Sequence, residues 1–536
     1  MVMNRRTFVG GTAALAGLAL APAPARAQGA GGTLRIAFAA RGLRTMDPQT
    51  SIQGVDNWAI IHVHDKLVDL SPWRFPPEGS DPVPRLATSW ERSADARTWT
   101  IRLREGVPFH KGYGIMTSDD VKFTFDRLRD PVRSGGVRPK FQNIEDVSVD
   151  GPAAVVFRLK QPDPLFLLGV LSDYDASVMS RRALEEKGEK GIATDPIGTG
   201  PYSLETVHQD PGQGVTLLAN PDHFDGPPAT ERLQCLYIAD TTARTLALLS
   251  GDVHMMEGVR SPGWADSIRA QKPDLVFDVV SPGSFFTIHP NLTVKPFDDP
   301  RLRQALFHAI DRDEIATAIA PISQRTYGLN PPSFPGGFTA ETIPAEVAYR
   351  YDPDRARQLM AEAGVPNGFA FRADTSQRED YSAIMLMIQD QLKRVGIDMQ
   401  LNIKDHTAFH ADQNTGTNTL SQHSAALPPV PTQPIVNYLS TAATVKSDGK
   451  GGSNFSRYGT AIPGIDDMLE AALAEPDLAK RLDLVRRIEA KALGDAVILP
   501  VSTNGFMIVR SPAVDLGYKV ESGYVNWPLT KARIVA

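Results

Sequence analysis

Twice in the second half of the chain a helical pattern runs into a glycine and then into a strand, and this alternation restricts the fold more than any other feature. Asp352 and Pro353 open a helix whose apolar positions, Ala356, Leu359, Met360 and Ala363, fall at helical spacing before Gly364 stops it. The next pattern, Ile384 to Val395, stops at Gly396 ahead of a strand. Helix, glycine and strand in this order predict an α/β lobe. Asp299 and Pro300 open a further helix with the stripe Leu302, Leu306, Ala309 and Ile310, and Asp311 with Glu314 reads as a second capping-box start before Ile315.

The first half carries the same vocabulary. Leu34, Ile36 and Phe38 alternate as a first strand that leads into the loop RGLRTMDPQTS at 41–51. Residues 56–70 read as a helix, on which His62 and His64 point to nearly opposite sides. Trp99, Ile101 and Leu103 predict a strand, Gly106 a turn toward Phe109, and Thr117 with Asp120 a capped start for the helix of Val121, Phe125 and Leu128. At 196–226 the run PIGTGPYSLETVHQDPGQGVTLLANPDHFDG forms a glycine and proline corner. Gly198 and Gly200 are read there as permitting positive φ, Pro201 fixes its own φ, and Val215, Leu217 and Ala219 alternate like a half-buried strand.

The start of the chain has export anatomy. Arg5 and Arg6 precede an apolar run from Ala13 to Ala21, and Ala25 and Ala27 flank a cleavage point, so residues 1–27 read as a twin-arginine-type signal peptide. Cleavage after Ala27 removes Arg5, Arg6 and Arg26 and no acid, which takes the formal charge from −6 to −9 and leaves no basic run. Nucleic acid is excluded as a partner on that ground, and anionic membrane surfaces are unsuited. Cys235 is the one cysteine, so there is no disulfide framework. A soluble, exported protein of the periplasm is expected.

No GxSxG, HExxH, paired CxxC or GxxxxGK[ST] motif is present, so the sequence gives catalysis no support. Gly198, Gly200 and Ser203 half-match a dinucleotide fingerprint, but Pro201 interrupts the turn that fingerprint needs. Neither a cofactor nor a metal ligand set is expected. The eleven histidines include the i, i+4 pair His406 and His410, for which solvated or hydrogen-bonded roles outweigh ligation.

Several ordered segments resemble the family 5 extracellular solute-binding proteins, the peptide/nickel-type receptors of ABC importers. They are the corner at 196–226, PRLATSWERSADARTWTIRLREGVPFHKG at 84–112, TSDDVKFTFDRL at 117–128, PFDDPRLRQALFHAIDRDEI at 296–315 and YDPDRARQLMAEAG at 351–364. IQDQLKRVGIDMQLNI, NFSRYGTAIPGIDDML and ILPVST continue the likeness toward the C-terminus. The resemblance implies an α/β, two-lobed periplasmic-binding-protein fold of type II-like form with an extra subdomain in lobe one. It places lobe one at 33–285, with the subdomain at about 71–190, lobe two at 286–501, and a return to lobe one at 502–536. It further implies a monomeric receptor that closes by a hinge over a small organic or peptide-like ligand and delivers it to an ABC transporter permease. A metal-chelate receptor of the nickel type, a periplasmic amide or peptide hydrolase and a sensory receptor docking a membrane kinase stay open as alternatives.

Within that resemblance, Arg378 falls near the position from which dipeptide receptors pair a ligand carboxylate, and a guanidinium fork suits such an anion. Pairing with Glu379 or Asp380 is the equal alternative. Arg41, in the loop after the first strand, is a second candidate for the same role. Between Gln413 and Lys446 the chain contains no Asp or Glu, where peptide-binding relatives place an aspartate against the ligand's amine. The expected ligand is therefore neutral, or anionic with a carboxylate, rather than a free-amine peptide. Phe285, His289, Gln422, His423, Tyr438, Tyr458 and Asn504 complete the candidate site residues, with core packing as the alternative for the aromatic ones.

Overall fold

The computed structural model describes residues 30–51, 54–70, 82–130, 132–133, 140–208, 214–427, 429–446, 452–520 and 528–535. Residues 1–27, read from sequence as a signal peptide, lie outside the described residues. Among those described, eleven strands form one mixed sheet in the spatial order Ile397–Lys404, Phe369–Ser376, Leu420–Ala426, Val276–Pro290, Leu499–Arg510, Met255–Glu257, Ala30–Phe38, Thr230–Tyr237, Val215–Ala219 and Tyr202–Val207, with Ser323–Arg325 added against Leu499–Arg510. Lobe two denotes here the part of the sheet from Ile397–Lys404 to Leu420–Ala426, and lobe one the part from Met255–Glu257 to Tyr202–Val207.

In lobe two, Phe369–Ser376 and Ile397–Lys404 pair in parallel, joined by the helix Glu379–Lys393. Gly364 and Gly396 both take positive φ, +84° and +93°, where they end their helices. The buried face of the connecting helix, Ile384, Met385, Ile388 and Leu392, packs with Phe286, Ile288 and Leu306 into one core. In lobe one, Ala30–Phe38 runs parallel to both Thr230–Tyr237 and Met255–Glu257. A separate antiparallel sheet, Ala87–Arg92, Thr98–Leu103, Ala154–Leu159 and Ile144–Val149, has its own core under the helix Ser118–Arg129. Trp99, Ile101 and Leu103 are buried while their neighbours are not, as a half-covered strand requires. The capping box at Thr117 and Asp120 is formed in both directions.

Three local expectations are corrected. The first helix is Gly54–Val63 and not 56–70; the chain then leaves it so that Val68–Asp69 can pair with Val83–Pro84. Asp311 caps its helix through the backbone N–H groups of Asp313 and Glu314, but the return bond from Glu314 is replaced by Gln391 Oε1, which accepts from Asp311 N at 3.0 Å. Gly198 and Gly200 do not adopt positive φ. They are required by close approach instead: a Cβ on Gly198 would lie 2.0 Å from the carbonyl oxygen of Val63, and one on Gly200 would lie 2.6 Å from that of His62. Gly200 N donates to Val63 O at 2.9 Å, so the corner is clamped to the end of the first helix. Gly198→Ala is expected to destabilise lobe one by about 3 kcal/mol, since rigid backbone stands in the way. A urea midpoint equal to that of the unaltered protein would contradict this.

The lobes are joined by an antiparallel ribbon. Val276–Pro290 pairs with Leu499–Arg510 from Val276 opposite Arg510 to Ile288 opposite Leu499, so both strands pass from one lobe's sheet into the other's. Their register shifts between Val280 and Ser284. Gly283 has φ +62° there and lies so close to Asn504 that a Cβ would come 2.1 Å from its carbonyl oxygen. Gly505, opposite, would place a Cβ 2.5 Å from Val280 O. The two glycines permit the bulge and twist at mid-ribbon.

Candidate functional site: the surfaces that meet between the lobes

Three contacts mark where the lobes touch. Arg260, which follows the lobe-one strand Met255–Glu257, places Nη1 3.6 Å from Asp380 Oδ2 at the start of the lobe-two helix Glu379–Lys393. Arg481 Nη2 donates to Pro162 O at 2.8 Å, and its other nitrogen stands 3.7 Å from Asp163. Gly169 lies under Val430, where a Cβ would meet Cγ2 at 2.5 Å. None of Arg260, Asp163 or Arg481 was anticipated from sequence.

Arg378 forms a bidentate pair with Asp380, Nε to Oδ1 at 3.0 Å and Nη2 to Oδ2 at 3.0 Å. Its side chain is 49% exposed, whereas Asp380 is 12% exposed. Burial works against the Asp380 carboxylate, yet the charges of Arg378 and Arg260 keep its pKa below the ordinary value. Arg41 is exposed in the loop after the first strand. The adjacent Ala39 N donates to Glu257 Oε2 at 3.0 Å, which ties the start of that loop to the contact at Arg260.

His289, His423 and Tyr438 are brought together. The ribbon strand pairs with Leu420–Ala426 so that Thr287 faces His423 and His289 faces Ser421. Alternation puts Thr287, His289 and His423 on one face, beside the helix Thr432–Leu439 that carries Tyr438. His423 Nδ1 and the Tyr438 hydroxyl are 3.0 Å apart, and Thr287 Oγ1 and His289 Nε2 are 2.8 Å apart. Phe455 packs edge-to-face with His289 and tilted against His423, with ring centroids 5.3 Å away in each case. Burial pushes His423 down to about 4 with help from the charge of His410, and holds His289 well below its usual value, so both rings are neutral at pH 7.

Gln422 points to the opposite face from His423. Thr375 Oγ1 donates to its Oε1 at 3.2 Å, and among the described residues its buried Nε2 has no hydrogen-bond partner. On that side the Tyr381 hydroxyl donates to Ser424 O at 3.2 Å, and Tyr381 packs edge-to-face with His406 and His410 with centroids 5.4 and 6.0 Å away. Ser376 Oγ lies 2.9 Å from His406 Nδ1, and burial pushes His406 down to about 4. Sequence reading missed Tyr381; its place three residues after Arg378, at helical spacing on a helix start, was the available signal.

The remaining candidates sit apart from these two groups. Phe285 packs edge-on to Phe334 at 5.4 Å in a lobe-two core that also holds Tyr458. The Tyr458 hydroxyl donates to Asp495. Asn504 lies in the ribbon, its Oδ1 accepting from Ser502 Oγ at 3.2 Å and its backbone opposite Ser284. A groove of about 750 Å³ lined by Arg372, Asp374, Gln400, Asn402, Lys404 and Asn418 lies along the edge strands of lobe two and includes none of the residues of the three interlobe contacts. Among the described residues no three His, Cys, Asp or Glu side chains gather as a metal site would need. No helix among them is long and apolar enough to cross a membrane.

Comparison with known proteins now bears on this arrangement. The chain is 31% identical over 323 residues to the glutathione-binding protein GsiB of Escherichia coli O1:K1 / APEC, which is 60% of this chain and 60% of that protein. The solved structure of MoaA in complex with mannopinic acid from A.tumefacien R10 superposes with a TM-score of 0.80 at 27% identity, over 94% of this chain and 99% of that one. DppA from Helicobacter pylori in complex with peptide STSA gives 0.77 at 24% identity, over 95% and 99%. These neighbours are two-lobed periplasmic binding proteins, which fixes the fold class. The profile of the bacterial extracellular solute-binding proteins, family 5 Middle, matches residues 81–446, and the chain belongs to that family.

Proposed function

We propose that this protein is a periplasmic receptor that captures a small organic or peptide-like solute between its lobes by hinge closure and delivers it to an ABC transporter permease. The observation that carries the reading is the bridging ribbon. Two hydrogen-bonded strands span both lobes, and the bulge at Gly283 and Gly505 lies between the halves, which is where a bend would reposition one lobe on the other. The groups gathered beside the ribbon are neutral imidazoles, phenols and an amide, which can orient a solute by hydrogen bonds and ring faces. We therefore assign no covalent chemistry to the site. Relatives bind glutathione and mannopinic acid by their names. Both precedents suit a multifunctional polar solute.

The metal-chelate reading keeps one supporting observation, the His406 and His410 rings with centroids 4.5 Å apart. Without a third protein donor nearby, the chelator would have to supply most of the coordination.

The test is the mass of the exported protein, isolated from a periplasm under native conditions, before and after denaturation. A released organic molecule is the expected outcome. Release of a metal without an organic chelator would overturn the solute reading. If no solute is retained, a thermal-shift screen follows, in which a true ligand at about 100 times its Kd adds roughly 2.7 kcal/mol of stability. A screen with no hit and turnover of an amide or ester panel would replace the receptor with the hydrolase.

A further inference from the structure

The charged groups where the lobes meet form one alternating series. Ala39 N bonds Glu257, Glu257 Oε1 stands 3.7 Å from Arg260 Nη2, Arg260 Nη1 stands 3.6 Å from Asp380 Oδ2, and Asp380 is gripped at both oxygens by Arg378. The series begins in lobe one and ends in lobe two. Its inner members are shielded from water: the side chains of Arg260, Asp380 and Glu257 are 10%, 12% and 15% exposed. The Arg260 guanidinium also lies over the ring of Phe506 in the ribbon, 4.3 Å from its centroid. Two cations meet two anions, so the cluster is balanced by groups of the chain itself.

We propose that Asp380 is a built-in counter-ion that latches the lobes: it takes the fork of Arg378 that a ligand carboxylate would otherwise occupy, and offers its outer edge to Arg260 across the cleft. The proposal deepens the receptor reading and rests on it for its purpose, but the ion pairs act whether or not a solute is present. Two consequences follow. Closure is favoured by a protein–protein ion pair, so the ligand need not supply the charge that draws the lobes together. A solute bearing a carboxylate must displace Asp380 from Arg378 to be read there, and partly buried ion pairs give way only at a cost. The favoured solutes therefore carry no anionic group at this end of the cleft. This narrows the expectation from sequence, which admitted a carboxylate ligand.

The experiment uses the mature full-length chain, unfolded in guanidinium chloride to strip bound molecules and then refolded, with circular dichroism confirming the fold of every variant. Small-angle X-ray scattering reads the radius of gyration. Arg260→Gln is expected to shift it upward, Arg260→Lys to retain the compact value, and Arg378→Gln to retain it as well, because Asp380 can still pair with Arg260. Asp380→Asn serves as a second opening variant should Arg260→Gln fail to fold. A radius of gyration for the folded opening variant equal to that of the unaltered protein would overturn the latch. These readings need no solute, so a failure of the receptor reading, seen as no released molecule and no thermal-shift hit, is scored separately.

Discussion

Replacing Arg127 by Met is expected to lower the stability of lobe one by about 3–5 kcal/mol, the scale for stripping one partner from a buried ion pair. Arg127 is 1% exposed and Asp47 2% exposed. Nη2 donates to Asp47 Oδ2 at 2.6 Å, Nη1 donates to Asp47 Oδ1 at 3.2 Å and to Gln49 Oε1 at 2.7 Å, and Glu189 closes the set from the surface. Without the guanidinium, Asp47 keeps a backbone bond from Gln49 N at 2.9 Å but has no cation beside it. The loop 41–51 is held down through Asp47 and Gln49, so its ordering is expected to fail along with stability. Adding Asp47→Asn to Arg127→Met should recover a large share of the loss, because the uncompensated charge and not the missing packing is its main source. A urea titration of the two single variants, the double variant and the unaltered protein measures this coupling; additive losses would contradict the argument.

Acidification supplies the second large effect. His62 donates from Nδ1 to Trp58 O at 2.6 Å and accepts at Nε2 from Leu529 N at 2.8 Å, an arrangement only the neutral ring can satisfy. Burial pushes both His62 and His64 down to about 4. A folded pKa below the unfolded value of about 6.5 means that the unfolded chain binds the proton first. Stability from these rings is thus complete above pH 6.5 and is lost as pH falls toward 4, by about 3 kcal/mol for each. His406 and His423 share the value of about 4, and His110, His254, His289 and His410 are lowered as well.

Four buried carboxyls act in the other sense. Burial raises Asp56 to about 6 and Asp175 and Glu489 to about 7, and lifts Asp163 as well, so the folded protein takes those protons first as pH falls. Eight rings against four carboxyls leave the unfolded state binding more protons between pH 6 and 5. The urea midpoint is therefore expected to drop steeply over that interval, and His62→Gln to flatten its share. A midpoint that is level or rising from pH 6 to pH 5 would show that the carboxyls win.

Much of the lobe-two fold was legible because its signals are local. Gly364 and Gly396 end helices for a reason that any single turn reveals, and Thr117 with Asp120 caps its helix within four residues. The error at Gly198 and Gly200 came from distance in sequence: what excludes a side chain there is a carbonyl of residues 62 and 63. The candidate site divides in the same way. Arg378 and Asp380 are two residues apart, so their pairing could be entertained from sequence, while Arg260 lies more than a hundred residues away and nothing in its neighbourhood announces Asp380. His289, His423 and Tyr438 were named individually, but their gathering depends on the register that sets Thr287 opposite His423. The divergence of Gln422 from His423 follows from strand alternation alone and was open to prediction once that segment was taken as a strand.

The chain's order of synthesis gives the ribbon a further meaning. Leu499–Arg510 is the neighbour of Met255–Glu257 in the lobe-one sheet, and Leu529 and Ala532 fill the core beneath the first helix. A growing polypeptide has made every lobe-one strand from Ala30–Phe38 to Met255–Glu257 before it enters lobe two, yet that sheet has no partner for Met255–Glu257 on this side until residues near 510 emerge. Lobe two, begun later, can complete its own parallel strands and helices sooner. The first lobe to be started is the last to be finished, and a ribosome stalled between residues 450 and 500 is expected to hold a chain whose N-terminal lobe is still open to proteases.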